Sequence, residues 1–218
     1  MDQLEGRNPV LECLIRHKRE VRRIWMDRGA KSDDKISKIL EMAGGRDIRT
    51  DRVDRRELDK MSNGRVHNGV IAHVDPLTSW TTKRLLDEIF ARGEDPFLVL
   101  ADGLSYEHNL GAILRTSLGF GVNGLILPTH RGASVSPVVQ RVSMGAVEEV
   151  PIVHEGLFSA LKHIKQAGIP IVGADMNGEA MTAIRMTGSV AIVMGAEGSG
   201  LSSKLRERCT HIASIPLA

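Results

Sequence analysis

Short apolar runs recur along the second half of the chain, at Phe97–Ala101, Gly124–Leu127, Pro151–Val153, Ile169–Ala174, Val190–Met194 and Ile212–Ile215. Helical patterns separate most of them. Leu110, Ile113, Leu114 and Leu118 share one helical face, Ser136-Pro137 opens a helix that runs through Met144, and Leu157–Gln166 is closed by Gly168. Three to six apolar residues form one buried strand, and a strand that feeds a helix is returned parallel to the strand before it. This alternation leaves few options besides an α/β fold with a mostly parallel sheet covered by helices on both faces. Such sheets bind ligands beyond the carboxyl ends of their strands. Two polar loops are predicted there. Asp102–His108 follows one strand, and the glycine-spaced turn Gly195-Ala-Glu-Gly-Ser-Gly200 follows another, before Ser202 caps a helix over Ser203–Cys209.

The first 75 residues are organised differently. Asn8-Pro9 opens a helix with Val10, Leu11, Leu14 and Ile15 on one face, and Val21–Met26 is a strand. Ser32 caps a helix carrying Ile36, Ile39 and Leu40 that stops at Gly44-Gly45. Ile48–Thr50, Asp54–Met61 and Val70–Val74 complete a small α/β domain at 1–75. Residues 76–95 are a linker (Asp75-Pro-Leu-Thr-Ser79) and a helix over Trp80–Ala91, and 96–218 form the large domain. Charge divides along the same line. Residues 1–75 hold 17 basic against 14 acidic side chains, with the densest run at Arg16-His-Lys-Arg-Glu-Val-Arg-Arg23. That run is either a phosphate-contacting surface or a solvated face.

Several classes are disfavoured. Aromatic residues make up only 3%, which argues against a base-stacking platform. No apolar stretch reaches membrane-spanning length, and the opening Met-Asp-Gln-Leu-Glu-Gly-Arg7 lacks the apolar run of a signal peptide. Cys13 and Cys209 lie far apart, make no metal-type pair, and read as reduced packing residues of a cytoplasmic protein. No phosphate-binding loop, dinucleotide glycine fingerprint, nucleophile elbow or zinc motif is present, and no metal is expected.

Asp102-Gly-Leu-Ser-Tyr-Glu-His-Asn-Leu-Gly-Ala-Ile-Leu-Arg-Thr116 resembles the first signature of the SpoU (TrmH-type) branch of the SPOUT RNA methyltransferases, and Ile192-Val-Met-Gly-Ala-Glu-Gly-Ser-Gly-Leu201 resembles the second. Ile215-Pro-Leu-Ala218 looks like the start of the third. Gly6-Arg-Asn-Pro-Val10 and His67-Asn-Gly-Val-Ile-Ala72 are similar to the substrate-binding domain of the ribosomal RNA 2′-O-methyltransferases, closest to the 23S guanosine enzymes. The resemblance implies an L30e-like RNA-presenting domain at 1–75 and a trefoil-knotted methyltransferase domain at 96–218, one of the rare departures from unknotted topology. It implies S-adenosylmethionine as cofactor, RNA as partner and a homodimer whose active site forms at the interface.

Carried onto this chain, the resemblance makes Asn109, Arg115 and Glu197 the catalytic set. Arg115 orients the target phosphate and ribose oxygen, since a guanidinium with a pKa above ~12 is a poor base. Asn109 also suits the N-cap of the following helix. Glu197 pairs with Arg115 or Asn109. Met194, Gly195, Gly198 and Gly200 receive the cofactor, with Ile215 and Leu217 against adenine. Arg7, Arg16, Lys18, Arg19, Arg22, Arg23 and Arg141 face RNA. The family continues past Ala218 through a Ser-Leu-Asn-Val-Ser loop and a final helix, so a missing tail is expected. The implied reaction is methyl transfer to a ribose 2′-oxygen, with a guanosine of 23S rRNA as target. A tRNA target and a non-catalytic RNA-binding or ribosome-assembly module are the alternatives.

Overall fold

The computed structural model describes residues 1–129, 134–196 and 198–215. In chain order the elements begin β1 (Asp2–Glu5), α1 (Arg7–Arg16), β2 (Val21–Asp27), α2 (Asp34–Gly44), β3 (Thr50–Val53), α3 (Arg55–Met61) and β4 (Val70–Val74). They continue α4 (Thr82–Ala91), β5 (Phe97–Ala101), α5 (Glu107–Gly119), β6 (Gly124–Leu127) and α6 (Pro137–Val142), followed by a single 3-10 turn at Ala146–Glu148. The last are β7 (Ile152–His154), α7 (Leu157–Gln166), β8 (Ile171–Ala180), β9 (Val190–Met194), α8 (Ser203–Arg206) and β10 (His211–Ser214). Two compact units emerge. The first gathers Met1–Thr78 with Leu110–Arg115 and Ser134–Glu149; the second holds the rest.

In the first unit the strands are ordered β1-β4-β2-β3, antiparallel except for the parallel pair β2 and β3. The helices bury Val10, Cys13 and Leu14 from α1 and Ile36, Ile39 and Ala43 from α2, while Ile15 and Leu40, expected on the same faces, stay exposed at their edges. The buried side chains pack on Leu4, Ile24, Met26, Val70 and Ala72. Asp33, rather than Ser32, caps α2, its Oδ1 accepting from the Ile36 N–H at 2.9 Å. Under this sheet lies a buried charge cluster. The Arg19 side chain is 4% exposed and commits all five of its donors. Glu148 accepts two at 2.6 and 3.0 Å, and Asp2, Gln140 and the Asp75 carbonyl accept the others. The thiol of Cys13 is pushed up to about 12, by burial first and by the neighbouring Glu148 second, so it stays protonated and inert.

The second unit carries six strands in the order β10-β8-β9-β5-β6-β7, every pair parallel. Its central strands are sealed on both faces, which is why β5 reads as the unbroken apolar run Phe-Leu-Val-Leu-Ala. Leu98, Leu100, Ile126, Val153, Ile171, Ala191 and Val193 form the core with Leu85, Ile89, Leu161 and Ile164 from α4 and α7. From β5 the chain steps outward through β6 and β7, then crosses to β8 on the other side before β9 fills the gap beside β5. That reversal of direction is where open parallel sheets form a ligand crevice.

Some expectations need correction. β1 has no counterpart in the sequence reading, because only Leu4 of Asp-Gln-Leu-Glu is apolar and pairing with β4 is what extends it. α4 starts at Thr82 rather than Trp80, with Thr81 as its cap. α8 covers only Ser203–Arg206 of the expected Ser203–Cys209. β8 runs on to Ala180 through polar residues, because β10 pairs with this extension after a register shift between Ile212 and Ala213. Among the described residues, no helix is long and apolar enough to cross a membrane, and no group of His, Cys, Asp or Glu side chains is placed to hold a metal ion.

Candidate functional site

β5 and β9 lie side by side in parallel, with Ala101 opposite Met194. Their following loops therefore leave the sheet together, tied by the Asp102 N–H donating to the Met194 carbonyl at 2.9 Å. The loop after β9 folds back on itself, Ala196 and Gly200 exchanging backbone hydrogen bonds of 2.9 and 3.1 Å. Glycine is demanded here for two separate reasons. At Gly195 a Cβ would come within 2.2 Å of the Gly200 carbonyl carbon, and at Gly103 within 2.5 Å of the Ala196 Cβ, so these two permit the loops to close on themselves and on each other. Gly198 and Gly200 have φ of +85° and +65°, and a Cβ on either would meet nothing within 4 Å. Open space above a strand end is thus found at Gly198 and Gly200. At Gly195, expected to give the cofactor room, the loop's own backbone takes the space.

Two large apolar side chains stay open on this edge: Met194 is 38% exposed and Ile215, just past β10, is 66% exposed. β10 lies two strands from β9, about 10 Å across the sheet. Glycine-lined backbone, an apolar rim and no phosphate cradle suit a nucleoside derivative without phosphates better than a nucleotide. S-adenosylmethionine fits that chemistry. Glu197 and Leu217 lie outside the described residues.

α5 carries the other two catalytic candidates. The helix begins at Glu107 after Tyr106, so Asn109 sits within its first turn and is not its N-cap. Asn109 and Arg115 are both exposed. Six residues separate them, which is about 9 Å along the helix and about 240° around it. The helix therefore presents them on different faces. Among the described residues Arg115 makes no ion pair.

The seven expected RNA-facing residues divide sharply. Arg19 is removed from that set, since its guanidinium is buried and fully committed to protein acceptors. Arg16 bonds Glu12 and Glu149, each at 3.2 Å, and Lys18 approaches Glu149 at 3.6 Å. Arg22 is paired with Asp75; Arg23 donates to Asp51 at 2.6 Å and lies 4.8 Å over the Trp25 ring. Arg7 and Arg141 line a cavity of about 660 Å³ within the first unit. Lys31, Lys35 and Arg55 line it too. Sequence reading missed these three because they are scattered over a loop and two helix starts rather than forming a run.

Family models match both parts of the chain: "SpoU rRNA Methylase family" over residues 96–218, and "RNA 2'-O ribose methyltransferase substrate binding" over residues 3–80. A Pseudomonas putida protein named 23S rRNA (guanosine-2'-O-)-methyltransferase RlmB is 36% identical, the alignment covering 100% of this chain and 89% of that one. A Mycolicibacterium smegmatis protein named as an uncharacterized tRNA/rRNA methyltransferase is 38% identical over 98% of this chain and 68% of its own length. The solved structure of the SpoU methyltransferase AviRb from Streptomyces viridochromogenes, in complex with AdoMet, superposes with a TM-score of 0.77 at 26% identity, covering 99% of this chain and 81% of that one. With both segments matched and full-length relatives this similar, the chain belongs to the SpoU rRNA methylase family.

Proposed function

We propose that this protein transfers a methyl group from S-adenosylmethionine to a ribose 2′-oxygen of RNA, with a guanosine of 23S rRNA as its target. The paired loops at the carboxyl edge of β5 and β9, inside the segment that matches the methylase family, carry the reading. The named 23S relative supports the target. Bound at that edge, S-adenosylmethionine supplies a methyl group on a positively charged sulfur. Gly198 and Gly200 admit it against the backbone, and Met194 and Ile215 cover its apolar parts. Leu217 completes the pocket in this proposal, and Glu197 pairs with Arg115 or Asn109. The chain's own contribution is alignment for an in-line displacement. Arg115 would hold the target phosphate and the 2′-oxygen and stabilise the negative charge that develops on that oxygen. Asn109 bonds the ribose.

Since α5 shows Asn109 and Arg115 on different faces, they serve best in an active site completed across a homodimer. The proposal includes a trefoil knot in the 96–218 domain, an L30e-like fold for the RNA-presenting part at 1–75, and a place in the cytoplasm. The relative named for both tRNA and rRNA makes tRNA the second target to test. The test measures radioactive methyl incorporation into 23S rRNA and tRNA by wild type and Arg115→Ala, beside calorimetric S-adenosylmethionine affinity. The expected result is incorporation into 23S rRNA that falls at least about 100-fold in the variant, with cofactor affinity held within about threefold. Cofactor binding without incorporation into either RNA would favour the non-catalytic module.

A further inference from the structure

The dense basic run at Arg16–Arg23 is the surface a sequence suggests for nucleic acid. The structure shows it spent. Its five Arg and Lys side chains, Arg16, Lys18, Arg19, Arg22 and Arg23, face Glu12, Glu149, Glu148, Asp2, Asp75 and Asp51 at ion-pair distance, and Glu20 stands beside His17. Even with Arg49, which shares Asp51, six cations there meet seven carboxylates, so the surface offers a phosphate no net attraction.

The cavity of about 660 Å³ in the same unit is the reverse case. Five cations line it (Arg7, Lys31, Lys35, Arg55 and Arg141) against the two carboxylates of Asp27 and Asp33. Lys35 and Arg141 are fixed by neutral oxygens, which orient them without cancelling their charge, whereas Arg7 pairs with Asp33 and Arg55 approaches Asp27 at 3.9 Å, which leaves three of the five positive charges in excess. Arg7 donates from Nε to the Asn68 carbonyl at 3.0 Å, with a second N–H on Asp33. Lys35 donates to the Asn8 Oδ1 at 2.7 Å. Arg141 donates to the Val66 carbonyl at 3.0 Å. The wall that holds Arg7 is itself braced: Asn68 has φ of +48°, and the neighbouring His67, 2% exposed, accepts the Gly69 N–H at Nδ1 (3.1 Å) and meets Asp59 at Nε2 (3.0 Å). That contact pattern fixes the neutral tautomer with the proton on Nε2. Cations held in place before binding lose less side-chain freedom when a phosphate arrives.

We propose that this cavity, not the Arg16–Arg23 run, receives a backbone phosphate of the RNA substrate. The inference rests on the RNA methyltransferase reading for its choice of polyanion. Arg141 belongs to the methylase-matching segment and the other four cations to the substrate-binding one, so the site is composite in sequence. A phosphate contact of this kind positions RNA without reading its sequence.

The test follows fluorescence anisotropy of a labelled RNA stem–loop with the full chain, over a series of KCl concentrations. Lys35→Gln/Arg141→Gln and, separately, Lys31→Glu on the exposed loop are compared with Arg22→Gln/Arg23→Gln. Thermal melts and S-adenosylmethionine calorimetry accompany each. Both cavity variants are expected to bind RNA about tenfold more weakly, with the slope of log affinity against log salt shallower by about one, while the run variant stays within about twofold. Equal affinity and slope in cavity variants and wild type would overturn the proposal, as would a loss confined to the run variant. RNA that stays bound at constant ionic strength while inorganic phosphate fills the cavity would overturn the assignment to RNA. The methyltransferase reading fails separately, by absence of S-adenosylmethionine binding in wild type, and a cavity-dependent RNA affinity would survive that failure.

Discussion

Glycines that look alike in the sequence do different jobs in the loops beyond β5 and β9. A methyl group at Gly103 would be forced to within 2.5 Å of the Ala196 Cβ at a φ of +66°, whereas one at Gly198 meets nothing within 4 Å. Gly103→Ala therefore combines backbone strain of about 1–3 kcal/mol with displacement of the neighbouring loop. Gly198→Ala carries the backbone strain alone. The two variants are separated by their melting temperatures. Gly103→Ala lowers both the melting temperature and S-adenosylmethionine affinity. Gly198→Ala shifts melting by only a few degrees, yet weakens cofactor binding about tenfold or more, since its new methyl occupies the open space proposed for the ligand. Differential scanning calorimetry and titration calorimetry on the two variants check this; a Gly198→Ala protein with unaltered affinity would move the cofactor away from that turn.

At the scale of elements, α2 shows one side chain serving two ends. Asp33 caps the helix through the Ile36 N–H and also pairs with Arg7 at the rim of the basic cavity. The cap and its backbone hydrogen bond hold its carboxyl below the usual range. Asp33→Asn keeps a capping oxygen and removes a negative charge from the cavity, so stability stays within about 0.5 kcal/mol and RNA affinity rises. Asp33→Ala loses the cap, about 1 kcal/mol, read by urea denaturation. This element also marks where sequence reading stops. The helix and its apolar face at Ile36 and Ile39 follow from spacing alone, as does the parallel sheet from its alternating runs. Strand β1 did not, because the antiparallel partner that extends its polar residues lies some seventy positions away. The two loops after β5 and β9 stand out as motifs in the sequence, and the sheet order places them side by side. Which basic residues remain available to a polyanion depends on partners such as Glu148, 129 positions from Arg19, and no local pattern carries that pairing.

For the whole molecule, acid is the direction of failure. Burial first, then the amino terminus and Arg23, push His73 below its ordinary value near 6.5, and burial alone does the same to His154. Burial raises Glu155, but hydrogen bonds from Ser159 and Thr82 outweigh it and leave the carboxyl below its ordinary 4.5. In each case the unfolded chain binds protons more readily than the folded one, so stability falls as pH falls. The histidine contribution begins to be lost below about pH 6.5 and the carboxylate contribution below about pH 4.5. Melting temperatures measured from about pH 7.5 down to about pH 4 should decline throughout, with the upper part of the decline reduced in a His73→Gln/His154→Gln protein. The buried guanidinium of Arg19 bears on a different question, the ancestry of such enzymes. Arg19 lies in the substrate-binding segment and its acceptors Glu148 and Gln140 in the methylase one, and removing one partner of a buried pair costs about 3–5 kcal/mol. A chimera that swaps only the first 78 residues between relatives inherits half of that arrangement. Where a donor chain lacks Glu148 or Gln140, a working exchange moves the stretch around 134–149 together with the amino-terminal part, since Arg19 is otherwise left short of acceptors.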